Sequence, residues 1–205
     1  MIRTLSAVAA SALILAACGQ QDAATPAARP EAQSATTPAE PAVDANALTA
    51  NGYGPLRIGM TRAEVVAALG DDANPGAVGG AEPESCDEWR PARAPEGLRV
   101  MFVDGALARI TTSAPSTLKT DRGFGVGDEA AAIKTAYGTA ALAQPHKYSA
   151  APAEDIFVWA SGAPVGEVYV EDPTARGVRY EINGEGRVQM VHVGGPAIQL
   201  VEGCS

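Results

Sequence analysis

Two stretches of this chain lie on one another without a gap, and that duplication limits the possible fold more than any other feature. Ile58 to Gly70 (IGMTRAEVVAALG) aligns with Val126 to Gly138 (VGDEAAAIKTAYG) at an offset of 68 positions. Ile58 and Val126, Val65 and Ile133, and Leu69 and Tyr137 coincide, while the polar positions drift. Keeping the apolar stripe and the terminal glycines is what a pair of short packed helices requires. Thr61 and Glu64 form a T-x-x-E capping box for the first helix. Asp128 is the expected cap of the second, with Glu129 well placed near its positive end. Gly70 and Gly138 are the expected left-handed stops. Helices this short draw their stability from packing.

A polar connection rich in Gly and Pro follows each helix, and then come strands. In the first half Cys86 to Trp89 can start a strand, and Leu98 to Val103 and Leu107 to Thr112 flank an Asp104-Gly105 hairpin signal. The second half offers Ile156 to Ala160, Glu167 to Glu171, Val178 to Ile182 and Val188 to Val193, with Asn183-Gly184 between the last two. Gly97-Leu98-Arg99-Val100 and Gly177-Val178-Arg179-Tyr180 match as counterparts, and Trp89 and Trp159 are a further candidate pair. The expected fold class is α+β: two tandem helix-plus-antiparallel-sheet repeats in one domain, residues 51–205. Repeat one covers about 51–117 and repeat two about 118–205.

The N-terminal segment speaks to location. Leu15-Ala16-Ala17-Cys18 resembles a bacterial lipobox, in which the cysteine is lipidated and becomes the new N-terminus. Residues 1–17 fit a secretory signal peptide, with Arg3 as its charged start and Ala7 to Ala17 as its apolar run. That run is shorter than the roughly 20 apolar residues a membrane-spanning helix needs. Residues 18–50 are rich in Ala and Pro and are expected to form a disordered tether behind the lipidated Cys18. Gly19 rather than Asp follows Cys18, which suggests the periplasmic face of the outer membrane.

Charge and cysteine count fit that setting. The chain has 24 acidic and 15 basic residues, a net charge of −9. Removing residues 1–17, whose single charge is Arg3, takes it to −10. Such a balance disfavours nucleic acid, which selects clustered Lys and Arg, and leaves membrane attachment to the acyl chains. Of three cysteines, assigning Cys18 to lipid leaves Cys86 and Cys204 for each other. A disulfide closing so long a loop is worth about 4–5 kcal/mol in the chain-entropy model. The alternatives are two free buried thiols or a metal site. The latter is short of ligands, since His146 and His192 are the only histidines.

Leu56 to Gly70 resembles the opening motif of the SmpA/OmlA family, a Gly-Met-Thr helix start followed by an apolar helix and a terminal Leu-Gly. These are small outer-membrane lipoproteins that include an accessory subunit of the β-barrel assembly machinery. The tandem arrangement is similar to that of the β-lactamase inhibitor protein (BLIP). The resemblance implies the α/β unit and an envelope location, and it transfers no binding residues. Two departures stand out. Asp128-Glu129 replaces Met-Thr in the second copy, and Pro75, Gly76, Gly79, Gly80 and Pro83 occupy the region where family members usually have another helix.

Motifs for catalysis are sparse. Gly123-Phe124-Gly125-Val126-Gly127 lacks the G-x-x-x-x-G-K-[ST] context and reads better as the lead-in to the second helix. Pro145-His146-Lys147-Tyr148 could do acid–base work or read an anion. The plainer reading has Tyr148 packed on the sheet with His146 and Lys147 in solvent. His192 alternates with Val191 and Val193 and is expected on a solvated strand face. Glu154-Asp155 and Glu171-Asp172 are sequence neighbours, which point to opposite faces of a strand and so make no dyad. No calcium loop and no G-x-S-x-G occur. Trp89, Trp159 and Tyr169, with His146, Lys147 and Tyr148, are the candidate partner-binding residues. Strand aromatics more often pack in a core.

The expectation is a non-enzymatic, lipid-anchored envelope binding or scaffold module with a protein partner and no metal or cofactor. The alternatives are an inhibitor of a hydrolase, by analogy of fold, and a small-ligand receptor or enzyme using His146, Lys147 and Tyr148.

Overall fold

A computed structural model of the chain describes residues 44–76 and 79–204. The signal segment, Cys18 and the tether to residue 43 lie outside the described residues. The fold starts earlier than Asn51: Leu48 is fully buried, its N–H donates to the Lys119 carbonyl at 2.9 Å, and its carbonyl accepts from Asp121.

Two short strands, β1 (Gly52–Tyr53) and β2 (Leu56–Arg57), pair with each other and lead into helix α1 (Arg62–Leu69). The Thr61–Glu64 capping box forms in full. Strands β3 (Cys86–Trp89), β4 (Leu98–Val103) and β5 (Ala106–Ser113) follow as an antiparallel meander. Asp104 and Gly105 both have positive φ, 48° and 77°, the geometry a tight primed turn needs. Helix α2 (Ala130–Tyr137) comes next, then β6 (Leu142–Pro145), β7 (Glu154–Ser161), β8 (Arg176–Ile182) and β9 (Val188–Gly194). All seven strands from β3 onward make one antiparallel sheet in the order β3-β4-β5-β9-β8-β7-β6. The class is mixed α+β, dominated by antiparallel sheet.

Several local expectations need correction. Asp128 does not cap α2. Glu129 holds the N-cap position without a side-chain bond, while the Asp128 carboxylate accepts from Gly125 N–H and Lys119 Nζ, both at 2.7 Å. Gly70 and Gly138 end their helices at positive φ, but with ψ of 171° and −129° they are extended rather than left-handed helical. Glu167 to Glu171 is irregular, because β7 pairs directly with β8 and leaves that segment no strand to join. The β8–β9 connection uses Asn183 to Arg187, not a two-residue turn. Strand β6 carries no period-2 apolar pattern and was not expected.

One face of the sheet is apolar and carries the helices. Val65 of α1 and Ala130 and Ile133 of α2 pack there against Val100, Ile110, Val178, Tyr180, Val191 and Val193. Trp89 belongs to this face, 2% exposed and stacked on Phe102 at 5.4 Å between ring centres. Trp159 does not match it. Trp89 sits opposite Val100, whereas Trp159 sits opposite Gly177 on the other face.

Candidate functional site

The face away from the helices is read from the register. One row across the strands is Arg99, Thr111, His192, Arg179 and Phe157. The next row is Glu88, Met101, Arg109, Gly194, Gly177 and Trp159. On the other side Asp155 lies directly opposite Glu181. Glu88, Arg109, Asp155, Arg179, Glu181 and His192 are all buried. A charged layer this deep persists only when its members satisfy one another.

They largely do. Arg109 donates to Glu88. Arg179 donates to Glu181 Oε2 at 2.6 Å and sets its Nε 3.1 Å from Asp155 Oδ1. Gln189 Nε2 donates to the other Glu181 oxygen at 2.5 Å. His192 lies between Thr111 Oγ1 (2.9 Å) and Glu181 Oε2 (3.2 Å). His146 Nδ1 accepts from the amides of Tyr148 and Ser149, so its proton belongs on Nε2, 3.4 Å from Glu181. Burial raises the Glu181 carboxyl pKa, but the His192 bond and the Arg179 charge outweigh it and hold the group well below the usual range. Burial drives His192 down to about 3, leaving the ring neutral. Asp155 is pushed up by burial, against the pull of Arg179. Burial also lowers Arg109 to about 10.

This layer is roofed by the last part of the chain. After β9, residues 195–204 turn back across the charged face through a short 3-10 turn, Pro196–Gln199. Arg109 Nη1 donates to the carbonyls of Ala197 (3.2 Å) and Leu200 (2.8 Å), and Arg179 Nη1 donates to that of Ile198 (2.9 Å). Gly177 and Gly194 are opposite one another in the register, and each is hemmed in by a different neighbour. A β-carbon on Gly177 would meet Trp159 at 2.7 Å and Ile198 at 3.2 Å, and one on Gly194 would meet the Ala108 carbonyl at 2.3 Å. Buried Ile198 seats beside Gly177. Gln199 holds both backbone groups of Val170 with its amide, and Lys147 pairs with Glu202 at 2.8 Å. Cys86 and Cys204 sit at disulfide distance, joining the end of this strap to the edge strand β3.

Beside the strap lies a groove of about 810 Å³, mostly apolar and walled by Ile58, Ala106, Ala108, Tyr169, Pro196 and Leu200. Arg176 and Glu171 supply charge at its lining. Tyr169, 67% exposed, and Leu200 leave apolar surface in water here. A smaller hollow of about 220 Å³ involves part-buried Trp159 and fully exposed Val165.

The candidates named from sequence are therefore separated. Tyr169 lines the groove, Trp159 lines the small hollow and donates to the Val168 carbonyl, and Trp89 is removed from any surface. The His146-Lys147-Tyr148 loop departs from its plainer reading at two of three positions: the His146 side chain is buried and Tyr148 is exposed, while Lys147 is exposed as that reading has it. Lys147 reaches to Glu202 and its ammonium lies 5.0 Å from the Tyr148 ring. His192 is buried rather than solvated, enclosed with Thr111 and Glu181 in the charged layer. Arg109, Glu88 and the Asp155–Glu181 juxtaposition were missed. Their polar positions alternate correctly for a solvated face, and nothing in the local pattern announces a roof. Among the described residues no group of three or more His, Cys, Asp or Glu is arranged to hold a metal.

No family model matches the chain, and no curated protein does. A solved structure of a DUF4309 family protein (YjgB) from Bacillus subtilis subsp. subtilis str. 168 is similar in part. Its TM-score is 0.40 at 14% identity, over 66% of this chain and 78% of that one.

Proposed function

We propose that this chain is a non-enzymatic binding module of the bacterial cell envelope, lipid-anchored through Cys18 at the periplasmic face of the outer membrane. The carrying observation is the apolar groove, whose exposed Tyr169 and Leu200 suit the apolar side chains of a protein partner. The Cys86–Cys204 pair fits an oxidising compartment. The charged layer acts as internal support, because most of its donors and acceptors are engaged with one another and with the strap.

We read the two halves as copies of one unit. Support comes from the matched helix segments, from the meander that follows each helix, and from Arg99 and Arg179 falling in one cross-strand row. Pairing of β5 with β9 then makes the last strands of both copies the centre of the sheet.

A photo-crosslinking residue at Tyr169, introduced into the lipidated protein in intact envelopes, tests the binding role. A discrete protein adduct is expected that disappears when Ala108→Arg fills the groove. Equal crosslinking in the presence of Ala108→Arg, or none at all, would remove the groove as the binding site. Separately, Cys18→Ala should abolish outer-membrane fractionation, and unchanged fractionation would end the anchor reading.

A further inference from the structure

We propose that residues 195–204 are a displaceable occupant of a peptide-binding cleft on the charged face of the sheet, and that the Cys86–Cys204 disulfide is the latch that keeps it there. The strap is bound as a peptide would be. Three of its consecutive-region carbonyls, those of Ala197, Ile198 and Leu200, are taken by Arg109 and Arg179, which are themselves immobilised by Glu88, Asp155 and Glu181. One apolar side chain, Ile198, fits against the sheet where Gly177 lacks a side chain; a β-carbon there would meet Ile198 Cδ1 at 3.2 Å. Backbone carbonyls read by fixed donors, with a pocket for one side chain, are a general means of holding a peptide, here one in a 3-10 turn. Arg109 also keeps a buried Nε–H with no partner among the described residues, a donor left over for an incoming acceptor.

The latch follows from chain geometry. A surface segment held at only one end frays at little cost. Here one end is tied at Cys204, and the other end continues from β9, so the strap cannot peel from either side. Both cysteines are part-exposed and within reach of a dithiol reductant. Exchange with such a reductant leaves two thiols on this chain and one disulfide on the reductant. Without the bond, the attachments beyond Leu200 include the exposed Lys147–Glu202 pair, worth little by itself. Opening exposes Arg109 and Arg179 to water or to the carbonyls of another peptide. The latch does not depend on what the neighbouring groove holds, although the strap forms one of the groove's walls.

The test uses the oxidised full-length chain and amide hydrogen exchange before and after dithiothreitol, with reduction verified by thiol labelling. Protection at residues 198–203 should fall at least tenfold while β4, β5, β8 and β9 keep theirs. The Cys86→Ser/Cys204→Ser variant should give the same pattern without reductant. Retained protection of the strap after complete reduction overturns the latch, as does loss of protection throughout the sheet. The cleft is tested with a synthetic peptide of residues 195–203 as probe. Added to the full chain carrying Cys86→Ser, Cys204→Ser and Ile198→Asp, whose own strap seats poorly, it should bind at least tenfold more tightly than the same peptide with Ile198→Asp. Equal affinity of the two peptides, or no binding, overturns the cleft. Crosslinking at Tyr169 in the oxidised protein is unaffected by either result, so failure here leaves the groove reading to its own test.

Discussion

The two faces of the sheet are built by opposite means. On the helix side, branched apolar residues interlock with α1 and α2, and burial needs no specific partner. On the far side, guanidinium, carboxylate and imidazole groups are buried just as deeply, and each depends on its neighbours. The apolar face tolerates change in proportion to volume. The charged face is nearly all-or-none, because removing one member leaves another buried without its counter-charge.

The sharpest way to break that contrast is Arg179→Ala. It strands Asp155 and Glu181 together and should cost about 3–5 kcal/mol in denaturant unfolding. Replacing the whole set by Arg179→Met, Asp155→Leu and Glu181→Leu should cost less than the single change, since the desolvation penalty leaves with the charges. If the triple variant is the less stable, the two faces differ less than described. On the helix side Ile133→Ala should cost about 2–5 kcal/mol, set by how far α2 can settle into the void.

Acid sharpens the same contrast. His192 is held near 3 in the fold against about 6.5 unfolded, so the unfolded chain binds the additional proton between those values. Stability present above pH 6.5 is therefore lost as pH falls toward 3. Glu181, also depressed, adds loss below its unfolded value. Asp155, raised, works in the opposite sense by binding its proton more readily in the fold. With Arg179, His146, Gln189 and Thr111 around them, these groups titrate as a set. Unfolding free energy followed from pH 7 to 4 should decline in the native chain and decline less in His192→Gln. Parallel curves would mean that His192 is not the sensor.

The smallest effect separates the two helices. Thr61→Ala removes a formed capping box and should cost about 1 kcal/mol. Glu129→Ala removes a residue that makes no cap bond and should change thermal stability by less than about 0.5 kcal/mol. Equal losses would contradict the asymmetry of the two N-termini.

What could be read from the chain beforehand divides along the same line. Val65, Ile133, Leu98 to Val103 and the Asp104-Gly105 turn carry their instructions locally, in spacing and in φ preference. The capping box does too, and each of these holds. The charged face does not, because alternation of Arg99, Thr111, His192, Arg179 and Glu181 with apolar residues has one meaning when water lies above and another when the strap does. Asp155 and Glu181 meet through strand register across a long connection. Trp89 and Trp159 failed as a pair because a match in sequence order does not fix strand phase. Tyr169 was found for its residue type, while the groove beside it depends on small residues such as Ala106, Ala108 and Ala197 that carry no signal of their own.

The central pairing of β5 with β9 sets a schedule for the chain's birth. A ribosome adding about 5–20 residues per second completes Ser113 several seconds before it reaches Val188. Throughout that interval β5 can pair with β4 but presents its other edge unsealed, open to any strand that approaches. Cys204 arrives later still, so the covalent closure follows the last strand of the sheet. A chain arranged this way is safest if folding of the early half waits for β9, and a holding chaperone that grips that half would guard its exposed edge until then.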